Sequence, residues 1–205
     1  FSYINKSKAG GVSNVLGQHF PFIHATPIKM DILKVISDDQ NSIKDSALHI
    51  ICIGNTNIEL VIDKFLIGNL LFLWVEPFSF ICHGVYIPKQ SKIRFKDFFT
   101  TDFRYKFQGI LASEKYLKRE AGCQNTFMPY SYNSFEIFIA LVSNQVRIIL
   151  ENPSNLKAFT WIGDTTECVN LNIQISQMYK DRKMEFLIHD ERPAMEAITA
   201  NENNI

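Results

Sequence analysis

The sequence predicts an all-β fold, in the form of one sandwich or barrel. Roughly eight short apolar or β-branched segments are separated by turn signals, a spacing typical of such folds. The 17 phenylalanines favour strands, and no long amphipathic helix is evident. Sandwiches of 205 residues commonly form one domain, so we expect a single core.

The most informative pair of predicted strands lies in residues 58–77. Apolar residues alternate with polar ones in its first part, at Ile58, Leu60 and Ile62. This alternation predicts a strand with one buried face. The continuous apolar run 70–75 predicts a strand buried on both faces. Gly68 allows the backbone to bend between the two strands, and Pro77 ends the second one because it cannot donate a ladder hydrogen bond.

The other predicted strands are short apolar segments between turns. They cover residues 47–53, 78–87, 135–142, 146–150, 157–162, 168–178 and 184–188. Residues 28–36 admit a strand or a helix, and their β-branched side chains favour a strand. The alternation in 168–178 is the most regular of all, which predicts a strand with one polar face.

The predicted organisation has three parts. Residues 1–27 form an N-terminal arm with a proline-bounded approach, residues 28–188 form the sandwich, and residues 189–205 form a polar tail. The arm is rich in Gly, Ser and Asn around residues 1–17. Such a segment cannot bury enough surface to fold alone, so we expect it to be ordered only against another surface.

The charge balance argues against a dedicated nucleic-acid binder. The formal net charge is zero, whereas phosphate binding needs a basic excess. Residues 92–106 interleave basic and aromatic side chains, which is compatible with stacking on bases. The same pattern also describes packed phenylalanines with lysines and arginines facing outward, and this second interpretation is favoured. Near-zero charge removes the repulsion between copies, which fits a protein in an assembly.

Cysteine usage and hydropathy narrow the class further. The chain has four cysteines, namely Cys52, Cys82, Cys123 and Cys168, and none forms a CxxC pair. This spacing predicts reduced, buried cysteines in a cytoplasmic product. The longest apolar run falls short of the ~20 residues that span a bilayer, and no signal-peptide pattern opens the sequence. We therefore expect no membrane span.

The sequence shows no catalytic constellation. The five histidines form no HExxH or HxH arrangement, and no GxSxG, Walker or GxGxxG motif follows a predicted strand. We therefore expect no catalytic residue, no metal site and no cofactor. Asp38 and Asp39, with Glu114 and Lys115, leave a metal-dependent nuclease open, and with His49 a hydrolase. A solvated polar loop is the favoured interpretation of the aspartate pair.

Three segments give the sequence its resemblance to a known family. The first comprises Leu60, Val61, Ile62, Phe65, Gly68, Leu70, Leu71, Glu76 and Pro77; the second is 125–130, and the third is 169–175 with 179–181 and 184–186. In this order they resemble the capsid proteins of picorna-like positive-strand RNA viruses. The sequence lacks the Trp-Arg-Gly-like turn often found before the first segment, so the particular subunit stays open.

The resemblance implies an eight-stranded antiparallel jelly-roll sandwich with an extended N-terminal arm. It implies a structural, non-enzymatic subunit of an icosahedral shell around single-stranded RNA, cut from a polyprotein, with which a chain beginning at Phe1 agrees. The implied partners are other capsid subunits, in a homo- and hetero-oligomeric shell, and genomic RNA weakly on the inner face; the host receptor stays open. The implied location is the virion, and the host cytoplasm during assembly.

A binding module is the alternative from another class. A β-sandwich that recognises glycans or peptides would use exposed aromatic rings, and the sequence offers Tyr130, Tyr132 and Trp161 for this purpose. Aromatic side chains suit such surfaces because they combine a large apolar area with a polar group.

Overall fold

A computed structural model of the chain describes residues 7–38, 43, 46–116, 118–119, 126–127 and 131–189. The chain divides into two compact units, Phe1–Ile43 and Lys44–Ile205. Cys123, which we expected to be reduced and buried, and Tyr130, which we expected to be an exposed aromatic, lie outside the described residues.

The first unit contains two helices, α1 (Lys8–His19) and α2 (Ile32–Asp38). Ser7 caps α1, since its hydroxyl accepts a hydrogen bond from the Gly10 backbone N–H at 3.2 Å. The Asp31 carboxylate accepts one from the Leu33 backbone N–H at 2.9 Å at the start of α2. The predictions of an extended arm and of a strand over 28–36 are therefore wrong, because capping residues initiate helices at both places.

The second unit is built on a mixed sheet with helices. In chain order its elements are β1 (His49–Ile51), α3 (Thr56–Phe65), β2 (Leu70–Val75), β3 (Ile81–Ile87), β4 (Lys118–Arg119), β5 (Thr126–Phe127), α4 (Tyr132–Glu151), β6 (Lys157–Ile162), α5 (Thr166–Asn170) and β7 (Glu185–His189). The five-stranded sheet has the order β1-β2-β3-β6-β7, and β4 pairs with β5 in a separate two-stranded ladder. Short 3₁₀ turns lie at Phe95–Phe98 and Ser113–Tyr116.

This architecture contradicts the all-β, eight-stranded jelly roll. The described residues hold one mixed five-stranded sheet and five α-helices rather than two antiparallel sheets. β1 and β2 are parallel and are joined through α3, which is the βαβ connection that parallel neighbours require. The remaining neighbours, β2–β3, β3–β6 and β6–β7, are antiparallel.

The predicted strand at the start of 58–77 is wrong, because this segment is α3. The Asn55 side chain caps the helix by accepting from the Ile58 backbone N–H at 3.3 Å. Burial follows a helical repeat, with Glu59, Ile62 and Asp63 inside. Residues 58 and 62 are four positions apart, a spacing that places them on one face of a helix as well as on one face of a strand. The short alternation therefore fits both structures.

The predicted strands 135–142 and 146–150 are wrong as well. They belong to α4, a single helix of 20 residues. Its buried residues recur every three or four positions, at Phe138, Val142, Gln145 and Ile149, which is the period of one helix face. Phe138, Val142 and Ile149 pack against Phe159 and Trp161 on one face of the sheet.

The most regular predicted strand, 168–178, is also wrong. Its start belongs to α5, and Asn172 adopts a positive φ of 56°, which no extended strand contains. Val169 is 79% exposed while Ile173 is buried, so the alternation does not divide two faces. Ile175 forms only an isolated bridge with Ile110.

Other strand predictions are confirmed. β2 and β6 span 70–75 and 157–162 as predicted. The segments 47–53 and 78–87 contain the shorter β1 and β3, and 184–188 overlaps β7. Gly68 lies at a bend, where a Cβ atom would come within 2.6 Å of the His49 ring.

The two faces of the sheet differ in what they carry. Cys82 of β3 faces the α4 side, so the next residue, His83, points to the opposite side. His83 lies directly beside Trp74 of β2 and Thr160 of β6 in the strand register. Directly paired residues share a face. We call the face that carries His83 and Thr160 the polar side of the sheet, although the next row on it is apolar, with Phe72 beside Val85.

Candidate functional sites

A continuous line of hydrogen-bonded side chains runs across the polar side of the sheet. His83 Nε2 lies 2.6 Å from Glu76 Oε1, and His83 Nδ1 lies 2.9 Å from Thr160 Oγ1. Thr160 Oγ1 lies 2.7 Å from His189 Nε2. Glu76, His83, Thr160 and His189 therefore form one connected set, which we call the polar chain.

The two ends of the polar chain differ in exposure. Glu76 is 6% exposed, and His83 and Thr160 have no exposed surface. His189, at the end of the edge strand β7, is partly buried. Among these four residues, only His189 has appreciable contact with solvent.

Glu76 holds the loop that contains Gly109 and Ile110 against the sheet. The residue directly follows β2, and its carboxylate accepts from the backbone N–H groups of Gly109 at 2.7 Å and Ile110 at 2.5 Å. Together with His83, these bonds give the buried carboxylate three donors. A buried charge is tolerated when it is hydrogen-bonded in this way.

Two arrangements of protons satisfy the polar chain while the Thr160 hydroxyl proton stays between the two imidazoles, and they differ by one proton. The Tyr179 hydroxyl is a further hydrogen-bond partner of the Thr160 side chain. A carboxylate only accepts, so His83 Nε2–H donates to Glu76 in both. In the first, the Thr160 hydroxyl donates to a neutral His83 and accepts from His189 Nε2–H. In the second, His83 is an imidazolium that donates to Thr160, and the Thr160 hydroxyl donates to His189 Nε2. The positions of these hydrogens follow from donor and acceptor requirements.

Aromatic rings surround the polar chain. The ring centroids of Trp74 and Tyr105 lie 5.2 and 4.8 Å from that of His83, and Phe107 stacks on His189 at 4.0 Å. The Tyr179 hydroxyl donates to the Phe107 carbonyl at 3.0 Å. These contacts fix the orientation of both imidazoles.

Burial shifts the ionisation of the groups at this site. Desolvation, with the charges of His83 and Arg182, lowers the pKa of His189 from 6.5 to about 4. Desolvation raises the pKa of Tyr179 to about 12 and that of Tyr105 well above its usual value. Both tyrosines are therefore neutral at physiological pH.

The order of groups in the polar chain is that of a nucleophile triad, with a carboxylate, an imidazole and a hydroxyl. The surroundings do not suit that chemistry. Thr160 has no exposed surface, and its oxygen lies between two imidazoles, so a substrate cannot reach it. The arrangement can instead hold and transfer protons while it fixes the strands together.

The residues singled out from the sequence lie elsewhere. Asp38 ends α2, where its carboxylate accepts from the Ser37 hydroxyl at 2.5 Å, and Asp39 lies outside the described residues. His49 is on β1, and Lys115 is an exposed residue of a 3₁₀ turn beside Glu114. Within the described part of the chain, no three His, Cys, Asp or Glu side chains group so as to hold a metal ion.

The aromatic residues predicted for ligand recognition also have different positions. Tyr132 is 67% exposed, but Trp161 is buried under α4 at 5%. The expectation of an exposed Trp161 is therefore wrong. Of the cysteines, Cys82 and Cys168 are buried and free as expected, whereas Cys52 is free but exposed.

Sequence reasoning missed the polar chain. Its members lie far apart in the sequence and meet only through the register of β3, β6 and β7. One signal was present, because a histidine inside a strand as apolar as β3 must find buried partners. The Glu-Pro pair that directly follows β2 supplies the nearest acceptor.

A second candidate site lies in the first unit. α1 and residues 25–31 border a groove of about 730 Å³. Its apolar lining includes Val12, Leu16, Pro27, Ile28 and Met30. α1 has no buried residue, although apolar helix residues normally lie against other parts of the protein.

No protein-family model matches this chain, and no curated protein matches it. The resemblance to viral capsid proteins therefore stays a prediction that rests on the sequence segments alone. The described helices include none with both the length and the apolar composition needed to cross a bilayer.

Proposed function

We propose that this chain is a non-enzymatic assembly protein whose first unit joins copies of the chain to one another. The observation that carries the proposal is the apolar surface of α1 and its groove, which the first unit leaves uncovered. Exposed apolar patches bordered by polar residues mark interaction sites.

The exposure is large for several residues. Val12 is 51% exposed, Phe20 54% and Phe22 94%. Burying such side chains gains ~25 cal/mol per Å² of apolar surface. A partner that covers these exposed side chains would therefore be stabilised mainly by apolar contact.

A second copy of the chain suits this surface. The formal net charge is zero, so two copies approach without overall repulsion. Lys29 and Asp31 both line the groove. In a two-fold interface the same patch faces itself, and residues of opposite charge on one patch can then pair reciprocally.

The polar side of the sheet supports a non-enzymatic role. The hydroxyl of Thr160, the one group there with the chemistry of a nucleophile in a triad, is enclosed and bonded on both sides. The polar chain therefore suits a role in stabilising the second unit and holding protons there, rather than a role in catalysis.

Sedimentation of the full chain tests the proposal. We expect the wild-type chain to form dimers or larger assemblies at neutral pH, and the double variant Val12→Glu/Leu16→Glu to dissociate because a charge would enter the apolar groove. Gln18→Glu is the matched control, since it adds a charge at an exposed position of the same helix. A monomeric wild-type chain at every concentration, or equal dissociation in the control, would refute it.

A viral shell is the specific assembly that the sequence resemblance predicts. The jelly roll that would build such a shell is not the fold of the described residues, so this form of the proposal keeps only the ordered sequence segments as support. Electron microscopy of the chain expressed with adjacent products of its coding region tests it. Closed particles would favour a shell. Dimers without closed particles would contradict the shell, while the association of copies would still hold.

A further inference from the structure

The polar chain connects a buried ion-pairing site with the protein surface. His83 has no exposed surface, so its ring cannot exchange protons with solvent directly in the folded state. Thr160 and His189 link it to the edge of the sheet through bonds of 2.9 and 2.7 Å. We propose that these residues form a proton relay, in which a proton taken up at His189 comes to rest on His83 beside the Glu76 carboxylate.

The relay moves one proton through three groups. A solvent proton binds His189 Nδ1, and the proton on His189 Nε2 passes to Thr160 Oγ1. The original Thr160 hydroxyl proton passes to His83 Nδ1. His189 ends as the neutral Nδ1–H tautomer, Thr160 again carries one proton, and His83 ends as an imidazolium. The net change is one added positive charge on His83, and no covalent bond to carbon changes.

Glu76 is placed to hold the transferred charge. Its Oε1 lies 2.6 Å from His83 Nε2 and accepts the hydrogen bond from that nitrogen, so the ring keeps this acceptor when Nδ1 gains a proton. The backbone N–H groups of Gly109 and Ile110 donate to the same carboxylate and hold it in place. His189, in contrast, has no carboxylate among its hydrogen-bond partners within the described residues.

The other ionisable groups around the relay do not take up the proton. They are Tyr105, Tyr179, whose hydroxyl also interacts with the Thr160 side chain, Arg182 before β7, and Cys82 on the far side of β3. Burial raises the pKa of both tyrosines and of Cys82, so they stay protonated. Arg182 is positive and disfavours a cation on His189. The chain continues from His189 into Asp190, outside the described residues.

The ionisation of His189 agrees with a ring that passes protons on. Burial and the nearby charges of His83 and Arg182 lower its pKa to about 4. The ring therefore stays neutral over the range in which the relay operates, and it changes tautomer instead of charge.

Nitrogen NMR of the two imidazoles in the folded full-length chain tests the relay. At high pH we expect both rings as neutral Nε2–H tautomers. On acidification, His83 should gain a second N–H proton while His189 changes to the Nδ1–H tautomer without becoming an imidazolium. An imidazolium at His189 with an unchanged His83 would overturn the proposal, as would a His83 that titrates while His189 keeps its Nε2–H tautomer.

Thr160 variants separate a relay from a merely structural contact. Thr160→Val keeps the shape of the side chain but removes the hydroxyl, so we expect the tautomer change at His189 to be lost and proton exchange at the His83 ring to slow. Thr160→Ser keeps the hydroxyl and should behave as wild type. Unchanged coupling in Thr160→Val would contradict the proposal. Should that variant unfold, the wild-type and Thr160→Ser spectra still decide the matter through the tautomers.

Discussion

The two units of this chain differ in what they bury. Helix α1 of the first has no buried residue and Phe22 beyond it is exposed, whereas the second encloses Glu76, His83 and Thr160. Buried polar groups and exposed apolar patches are the informative exceptions in a folded protein. Here one exception points to a partner, and the other to a hydrogen-bonded network that needs no partner.

The buried polar residues and the exposed apolar residues also differ in what they contribute to the free energy of folding. Glu76, His83 and Thr160 are hydrogen-bonded within the second unit, so removing one of them leaves its neighbour without a partner. The exposed apolar residues of the first unit contribute little to the stability of a single chain. Substitutions should therefore destabilise folding in the second unit and weaken association in the first.

The largest effect is expected from His83→Ala. It leaves the buried Glu76 carboxylate without its imidazole partner and creates a cavity, which should lower the free energy of unfolding by about 3–5 kcal/mol. His24→Ala, at an exposed position of the first unit, should change it by less than about 0.5 kcal/mol. Urea unfolding of both variants measures the contrast, and equal effects would remove the distinction between the units.

Gly84→Ala tests how closely the second unit is packed. An added Cβ would lie 2.1 Å from the Phe159 ring, and we expect a loss of about 1–3 kcal/mol. The matched control is Gly17→Ala in α1, where a Cβ meets nothing within 4 Å; alanine there should stabilise the helix by up to about 1 kcal/mol. Thermal unfolding of the two variants should give shifts of opposite sign.

Acid should weaken the second unit through His189. Its pKa falls from 6.5 to about 4 on folding, so between these values the unfolded chain binds a proton that the folded chain does not. Stability from this group is complete above pH 6.5 and is lost as the pH falls towards 4. Allowing for partial exposure, we expect about 1 kcal/mol per pH unit.

The comparison with His189→Asn isolates that contribution. Burial also lowers the pKa of His49, which adds a slope of the same sign in both proteins. Urea unfolding across the acid range should therefore show a steeper loss in wild type than in His189→Asn. Parallel curves would show that His189 keeps its ordinary ionisation on folding.

The smallest effect on folding is expected from Phe22→Ser. Phe22 is 94% exposed, so its replacement should change the free energy of unfolding by less than about 0.5 kcal/mol. The same variant should weaken association, because the exposed apolar area of the first unit decreases. A strongly destabilised monomer would mean that Phe22 is part of a core.

The sequence predicted strands best where turn signals bound them on both sides. β2 and β6 were predicted with their correct bounds, since β2 lies between Gly68 and Pro77 and β6 between Pro153 and Gly163. The alternation in 58–63 and 168–178 suggested strands, but α3 and α5 are there. Over so few residues, a strand with a period of 2 and a helix with a period of 3.6 residues put many of the same positions on their buried face.

α4 and the polar chain required information that local patterns lack. The apolar residues of α4 are dense enough to resemble two strands, and its true period appears only over its full length. The polar chain depends on the pairing of β3 with β6 and of β6 with β7, which brings His83 to Thr160 and Thr160 to His189. The groove depends on the turn that returns residues 25–31 to α1.

Sedimentation equilibrium of the 205-residue chain over a range of concentrations decides whether copies of the chain associate. At neutral pH we expect an average mass that rises with concentration to at least twice that of one chain, and a monomeric Val12→Glu/Leu16→Glu variant with an unchanged free energy of unfolding. A wild-type chain that keeps the mass of a single copy throughout would contradict it.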